Sequence, residues 1–213
     1  MGVNSALDAG SRAIVALAAA IAAGDPHQLD ARVKAAIAAG VAPLAVDELV
    51  LQSVLTVGWP RALIAAGAWR AAAGRPAENA DDDLDYAAHV EWTKRGEVTC
   101  AAIYGDHYAK LRNNVRALHP ALEAWMVTEG YGRTLSRPGL DLKLRELCTV
   151  AQTAVLNTPR QLHSHLLGAL RAGASFDEVE ATLDVADPML PQIQRDQVAI
   201  LWNRVRSTWS GAT

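Results

Sequence analysis

The chain is predicted to be all-α, and three observations carry that prediction. Half of its 213 residues are hydrophobic while only 5% are aromatic, so alanine carries most of the apolar load. Alanine has the best helix propensity and lets helix backbones approach one another. No segment alternates polar and apolar residues over strand length. Glycine and proline instead break the apolar stretches at helix-length intervals, as at Gly24-Asp25-Pro26, Gly40 and Gly173.

Taken in order, residues 6–23 read as a helix that starts near Asp8 or Ser11 and ends at Gly24. Asp25-Pro26 opens a second, over about 27–39, closed by Gly40. Residues 46–73 read as a longer helix kinked at Gly58-Trp59-Pro60, because proline removes a helical hydrogen bond. A loop is expected over 74–83, its aspartates suited to starting the next helix. From 97 to 118, Ile103/Tyr104, Tyr108, Leu111, Val115 and Leu118 fall at helical spacing for one buried stripe. His119-Pro120 breaks that helix; 121–129 is a short helix, and 130–139, from Gly130-Tyr131-Gly132 to Pro138-Gly139, a loop. Helices follow near 140–156, 160–172, 175–186 and 190–208.

Shifting the chain against itself by 133 residues aligns Arg12–Gly40 with Arg145–Gly173 without a gap, with eight of 29 positions identical. The helix breaks recur at the same offset, which marks a duplicated helical unit. Beyond the glycine, residues 46–49 answer 176–179 if a short gap is opened. We expect one domain over 1–213: a first copy at 11–73, a connecting helical insert at 74–139 and a second copy at 140–208. Where the second copy has Glu146, His163 and His165, the first has Ala13, Asp30 and Arg32, so any chemistry is expected in the second.

A net charge of -3 and a pI near 6.1 give no footprint for nucleic acid. The longest unbroken apolar run, 13–23, is too short to span a bilayer and lacks a basic segment before it, so no membrane association is expected. Met1-Gly2 fails as a myristoylation motif because Ala6 stands where Ser or Thr is needed. Cys100 and Cys148 are far apart and form neither a CxxC nor a zinc pattern. The expectation is a cytoplasmic protein with no metal and no cofactor.

Residues 145–173 gather more acid–base groups than any other stretch. Glu146, Thr149, Thr153 and Asn157 fall on one side of an otherwise apolar helix, either as a solvated face or as the wall of a pocket. On the next helix His165 shares a face with Gln161, Gly168 and Ala172, small residues that admit a neighbouring helix. His163 points about 160° away, among leucines, and reads as a core or interface histidine. Residues two apart on a helix do not converge on one ion, so the histidines make a poor metal pair. Cys148 lies opposite Glu146 and reads as a small buried hydrophobe, as does Cys100. Arg145, Arg133 and Arg137, beside Tyr131, are candidates for gripping a carboxylate.

Arg145-Glu146-Leu147, then His165 nineteen residues after the glutamate, then Gly168-Ala169-Leu170 and Gly173 before an acidic helix start, resemble the carboxymuconolactone decarboxylase / alkylhydroperoxidase D superfamily. The first copy resembles it through 36–40, Asp47-Glu48 and the Gly58-x-Pro60 kink. The resemblance implies the alkylhydroperoxidase D-like fold and a trimeric or hexameric homo-oligomer. Its peroxidase branch carries a CxxC where this chain has Thr158-Pro159-Arg160-Gln161, so disulfide-cycling peroxide chemistry has no nucleophile. The decarboxylase branch implies cofactor-free loss of carbon dioxide from a small carboxylated lactone. His165 would then donate the proton, Glu146 orient or relay it, and Arg145, with Arg133 or Arg137, hold the substrate. The alternative is a non-catalytic, small-molecule-binding oligomer whose site has decayed.

Overall fold

The computed structural model describes residues 6–74 and 84–211, and every regular element among them is helical. α1 (Ala9–Ala23) starts at Asp8, whose carboxylate accepts from the Ser11 amide at 2.8 Å, and stops at a left-handed Gly24. α2 (Pro26–Ala38) is capped the same way by Asp25. α3 (Pro43–Ala73) breaks its helical geometry at Gly58, two residues before Pro60, at the predicted kink. α4 (His89–Tyr104), α5 (Tyr108–Leu118) and α6 (Pro120–Trp125) make up most of the connecting segment. α7 (Leu142–Val155), α8 (Pro159–Arg171), α9 (Phe176–Ala186) and α10 (Gln192–Thr208) complete the chain.

Two expectations fail in the connecting segment. The helix predicted over 97–118 starts earlier, at His89, and is cut in two by a short 3-10 turn over Gly105–His107. Its apolar stripe is buried at Ile103 but not at the far end, where Leu118 is 80% exposed. The loop predicted from Gly130 is in fact helical: Met126–Leu135 forms a π-helical segment. Glycine there does not break the chain but permits contact. A Cβ on Gly132 would lie 1.9 Å from the Trp92 carbonyl, and one on Gly96 2.0 Å from that of Val127. α4 and the π-helical segment therefore touch backbone to backbone. Except for Gly74, the loop predicted over 74–83 lies outside the described residues.

The duplication is plainer in the structure than in the alignment. α1, α2 and α3 start at residues 9, 26 and 43, and α7, α8 and α9 at 142, 159 and 176, each pair 133 apart. No gap is needed at the third helix. Asp47 accepts from the Trp69 indole at 2.6 Å, and Glu180 from the Trp202 indole at 3.1 Å, again 133 residues on. One kinked helix in the first half thus answers two helices, α9 and α10, in the second. This arrangement fits a duplicated helical unit.

The main core draws on α1 to α3 and α7 to α10, with α1 almost wholly enclosed from Ile14 to Ala22. Cys100, Ile103, Tyr131 and Leu135 form a second, smaller cluster. Between α3 and α7 runs a buried polar seam of Glu48, Gln52, Ser53, Arg145 and Gln152. α3 is long and apolar enough to cross a membrane by length and composition alone, and only 28% of its most apolar window is buried. Leu51, Leu55, Trp59 and Leu63 are exposed along it, Trp59 by 67%.

Candidate functional site

α7 and α8 form an antiparallel hairpin, with Asp141 capping the first helix and Asn157 taking a left-handed conformation at the turn. That turn brings residue 146 opposite residue 165. His165 Nδ1 lies 2.9 Å from Glu146 Oε2; the glutamate is fully buried and the histidine side chain 14% exposed. A carboxylate facing Nδ1 assigns the proton to that nitrogen and leaves Nε2 as the site of proton exchange. The other carboxylate oxygen, Glu146 Oε1, is buried without a hydrogen-bond partner among the described residues. An unpaired buried oxygen of this kind is costly to structure and common at functional sites.

The carboxyl group fits because residue 168 has no side chain. A Cβ there would lie 2.3 Å from Glu146 Oε2 and 2.8 Å from Ile103 Cγ2. Cys100, Ile103 and Tyr104 of α4 close the site from the other side. Tyr131 donates to the Tyr104 hydroxyl at 3.2 Å. Burial pushes both phenols up, and the neighbouring Glu146 carboxylate adds to it. Both hydroxyls thus stay protonated as hydrogen-bonding groups. Tyr104 and Cys100 lie in the connecting segment, and residue-by-residue reasoning on 145–173 had no means of finding them.

The expected arginine grip is not where the sequence placed it. Arg145 is fully buried and donates to the Leu140 and Arg137 carbonyls, to Gln52 at 3.1 Å and to Glu48 at 2.8 Å. Arg137 donates through Nε to both oxygens of the same Glu48. Arg133 stacks on Tyr86 and Trp92 and pairs with Glu129. All three guanidinium groups are held in structural contacts, which corrects their assignment to substrate. Glu48 is the missed residue, and its signal is an acid inside an apolar helix.

Cys148 lies in the main core, and burial raises its thiol far above the usual range; burial pushes Cys100 up to about 12. Neither is a ready nucleophile. Thr149 and Thr153 are buried, and their hydroxyls bond carbonyls of their own helix; of the predicted polar line, Asn157 alone is exposed, and Thr153 and Asn157 edge a small cavity. His163, expected in packing, is half-buried and lines the largest cleft described, of about 550 Å³, between α5, α8 and α10. Ser164 and Tyr104 also line this cleft, whereas His165 does not. Among the described residues no three His, Cys, Asp or Glu side chains are grouped to hold a metal ion.

Among curated proteins nothing matches the chain. A family model does match, over residues 1–71 and 120–195, so that both halves of the duplication are covered and α4 and α5 are not. Glu146, Gly168 and His165 all lie within the matched part. With more than half of its length matched and the dyad's geometry in place, the chain belongs to the carboxymuconolactone decarboxylase family.

Proposed function

We propose that Glu146 and His165 form a general acid–base pair and that the protein is a cofactor-free, decarboxylase-like lyase. Its substrate is a small carboxylated molecule of lactone type. The observation that carries the reading is the 2.9 Å contact between His165 Nδ1 and a fully buried Glu146. In the reaction the carbon–carboxylate bond breaks, carbon dioxide leaves and the electron pair enters a dienolate. His165 Nε2–H then delivers a proton to carbon, and solvent reprotonates the imidazole. Glu146 keeps Nδ1 protonated and offsets the charge of the imidazolium. No thiol stands at Thr158 or Gln161, so nothing favours a disulfide-cycling peroxidase.

One observation favours a second reading, a small-molecule-binding protein without turnover: His165 lines none of the cavities described. A decarboxylation screen over lactone acids and β-keto acids separates the two. Wild-type turnover that falls about 10²–10⁴-fold in His165→Ala and Glu146→Gln supports the enzyme. Turnover unchanged by either substitution, or absent for every acid that binds, sinks it.

We further propose a cytoplasmic homo-oligomer, a trimer or hexamer. The unpaired cysteines support the compartment. The stripe of Leu51, Leu55, Trp59 and Leu63 supports association through α3. The buried Glu48, Gln52 and Ser53 on its other face, bound to α7, favour a subunit contact over a lipid one. Light scattering should find a multiple of the 22.7 kDa chain that Leu55→Glu/Leu63→Glu reduces to the monomer; a monomeric wild type refutes this.

A further inference from the structure

The largest cleft stands apart from the dyad, and much of it comes from outside the family match. α5 and the turn before it supply His107, Lys110 and Leu111, and α10 supplies Leu201 and Arg204; all lie beyond residues 1–71 and 120–195. α8 supplies the opposite wall, including Arg160, His163 and Arg171. The lining therefore holds Lys110, Arg160, Arg171 and Arg204 and no aspartate or glutamate, in a chain whose net charge is -3. Arg171 is partly engaged, donating to the Ile103 carbonyl at 3.1 Å and lying over the Trp209 ring. Lys110, Arg160 and Arg204 have no carboxylate within ion-pair reach among the described residues and sit on three different helices.

A low-dielectric cleft lined by one sign of charge concentrates the opposite sign. The floor between these cations is apolar, from Tyr104, Leu111, Leu167 and Leu201. A volume of about 550 Å³ falls within the range of small-molecule sites. His163 reports the local field: burial first, then Arg204 and His107, hold its imidazole below the usual range. It is therefore neutral at pH 7 and presents a hydrogen-bonding ring rather than a further cation.

We infer that this cleft binds a small organic dicarboxylate with an apolar body, its two carboxylates bridging the cations of α8 to those of α5 and α10. Paired guanidinium groups suit planar carboxylates, cations on opposing walls call for two separated anionic groups, and the leucines call for hydrocarbon between them. The inference does not rest on the reactivity of Glu146 and His165, because it is read by binding alone.

Calorimetric titration of the full chain with benzene-1,3-dicarboxylate, benzoate and pyrophosphate tests it. The dicarboxylate should bind saturably, one per chain, and benzoate about tenfold or more weakly, as should the dicarboxylate to Arg160→Gln/Arg204→Gln, each lost charged contact counting for about a factor of ten or more. Both arginines are exposed, so the variant should fold; Lys94→Gln, which neutralises an exposed lysine outside the cleft, should bind as wild type does. Absence of saturable dicarboxylate binding, unchanged affinity in the double variant, or equal affinity for benzoate overturns the inference. Pyrophosphate binding as tightly as the aromatic dianion overturns the role of the apolar floor. The His163 ring resonances give a second readout. Facing Arg204, His107, Lys110, Arg160 and Arg171, the imidazole should titrate at higher pH once two negative charges enter. An unmoved titration at saturation places the ligand elsewhere and also overturns the inference.

Discussion

A single methyl group at position 168 tests the geometry of the dyad. Gly168 lies inside α8, where helix propensity alone favours alanine by about 1 kcal/mol. The steric term opposes this. A Cβ would meet Glu146 Oε2 at 2.3 Å, Ile103 Cγ2 at 2.8 Å and Glu146 Cδ at 3.2 Å, so either the carboxyl swings away from His165 or α4 and α7 move apart. Overpacking of this kind costs about 1–3 kcal/mol, and a buried carboxylate deprived of its partner about 1–3 more. Gly168→Ala should therefore destabilise the fold by a net of about 1–5 kcal/mol and abolish the histidine–carboxylate contact. The first copy holds the control: Ala35 occupies the equivalent place, exposed on α2, and Ala35→Gly should cost only about 0.5–1 kcal/mol. In a Glu146→Ala background, which removes two of the three close atoms, the Gly168→Ala penalty should shrink. Urea unfolding of the four variants, with the His165 ring titration followed by NMR, gives all these quantities. A Gly168→Ala protein at least as stable as wild type, with His165 titrating unchanged, would refute the packing argument.

Arg145→Ala should cost about 3–5 kcal/mol, because it breaks a buried ion pair whose partner, Glu48, is itself buried. A loss of substrate affinity at unchanged unfolding midpoint would instead restore Arg145 to the substrate. Glu123 gives a pH test. Burial works against its charge, but hydrogen bonds from Arg112 and Arg116 outweigh that and hold its carboxyl below the usual range. A lowered folded-state pKa stabilises above the unfolded value and ceases to do so as pH falls through the folded one. The Tm gap between wild type and Glu123→Gln should thus be widest near neutrality and close in acid; a gap independent of pH contradicts the assignment.

The helices that hold the dyad were legible because their ends carry local signals. Asp8, Asp25 and Asp141 cap within three residues, and Gly24 and Gly173 stop the chain by backbone conformation alone. Glu146 and His165 were legible because the two helices are joined by a short turn, so a fixed spacing carries over into contact. Arg145 was misread because its partner Glu48 stands 97 residues away; charge can be read from a sequence, but what satisfies it cannot. Gly130 and Gly132 were misread for a related reason. Glycine signals a break when nothing is near, and a close approach when another backbone is, and only the fold tells which. The unneeded gap at the third helix arose from matching Asp47-Glu48 to Asp177-Glu178 by identity, when the equivalent contact is Asp47–Trp69 with Glu180–Trp202.

The two copies differ by a set of changes that make sense only together. At the positions of Glu146, His165 and Gly168 the first copy has Ala13, Arg32 and Ala35. Ala13 leaves no carboxylate to seat, so the room that Gly168 provides has no use at position 35, and alanine there recovers helix propensity. Arg32 is exposed on α2 and has no buried acid to answer. The first copy instead supplies Glu48, Gln52 and Ser53, which satisfy the buried polar groups of α7. Ala181, 133 residues after Glu48, lacks that acid. One half therefore holds the reactive pair, and the other holds the helix that carries it, so neither half contains a whole site. A single reversion such as Ala13→Glu would bury a carboxylate beside Ala35 with no imidazole to meet it, and would destabilise the fold without making a second site.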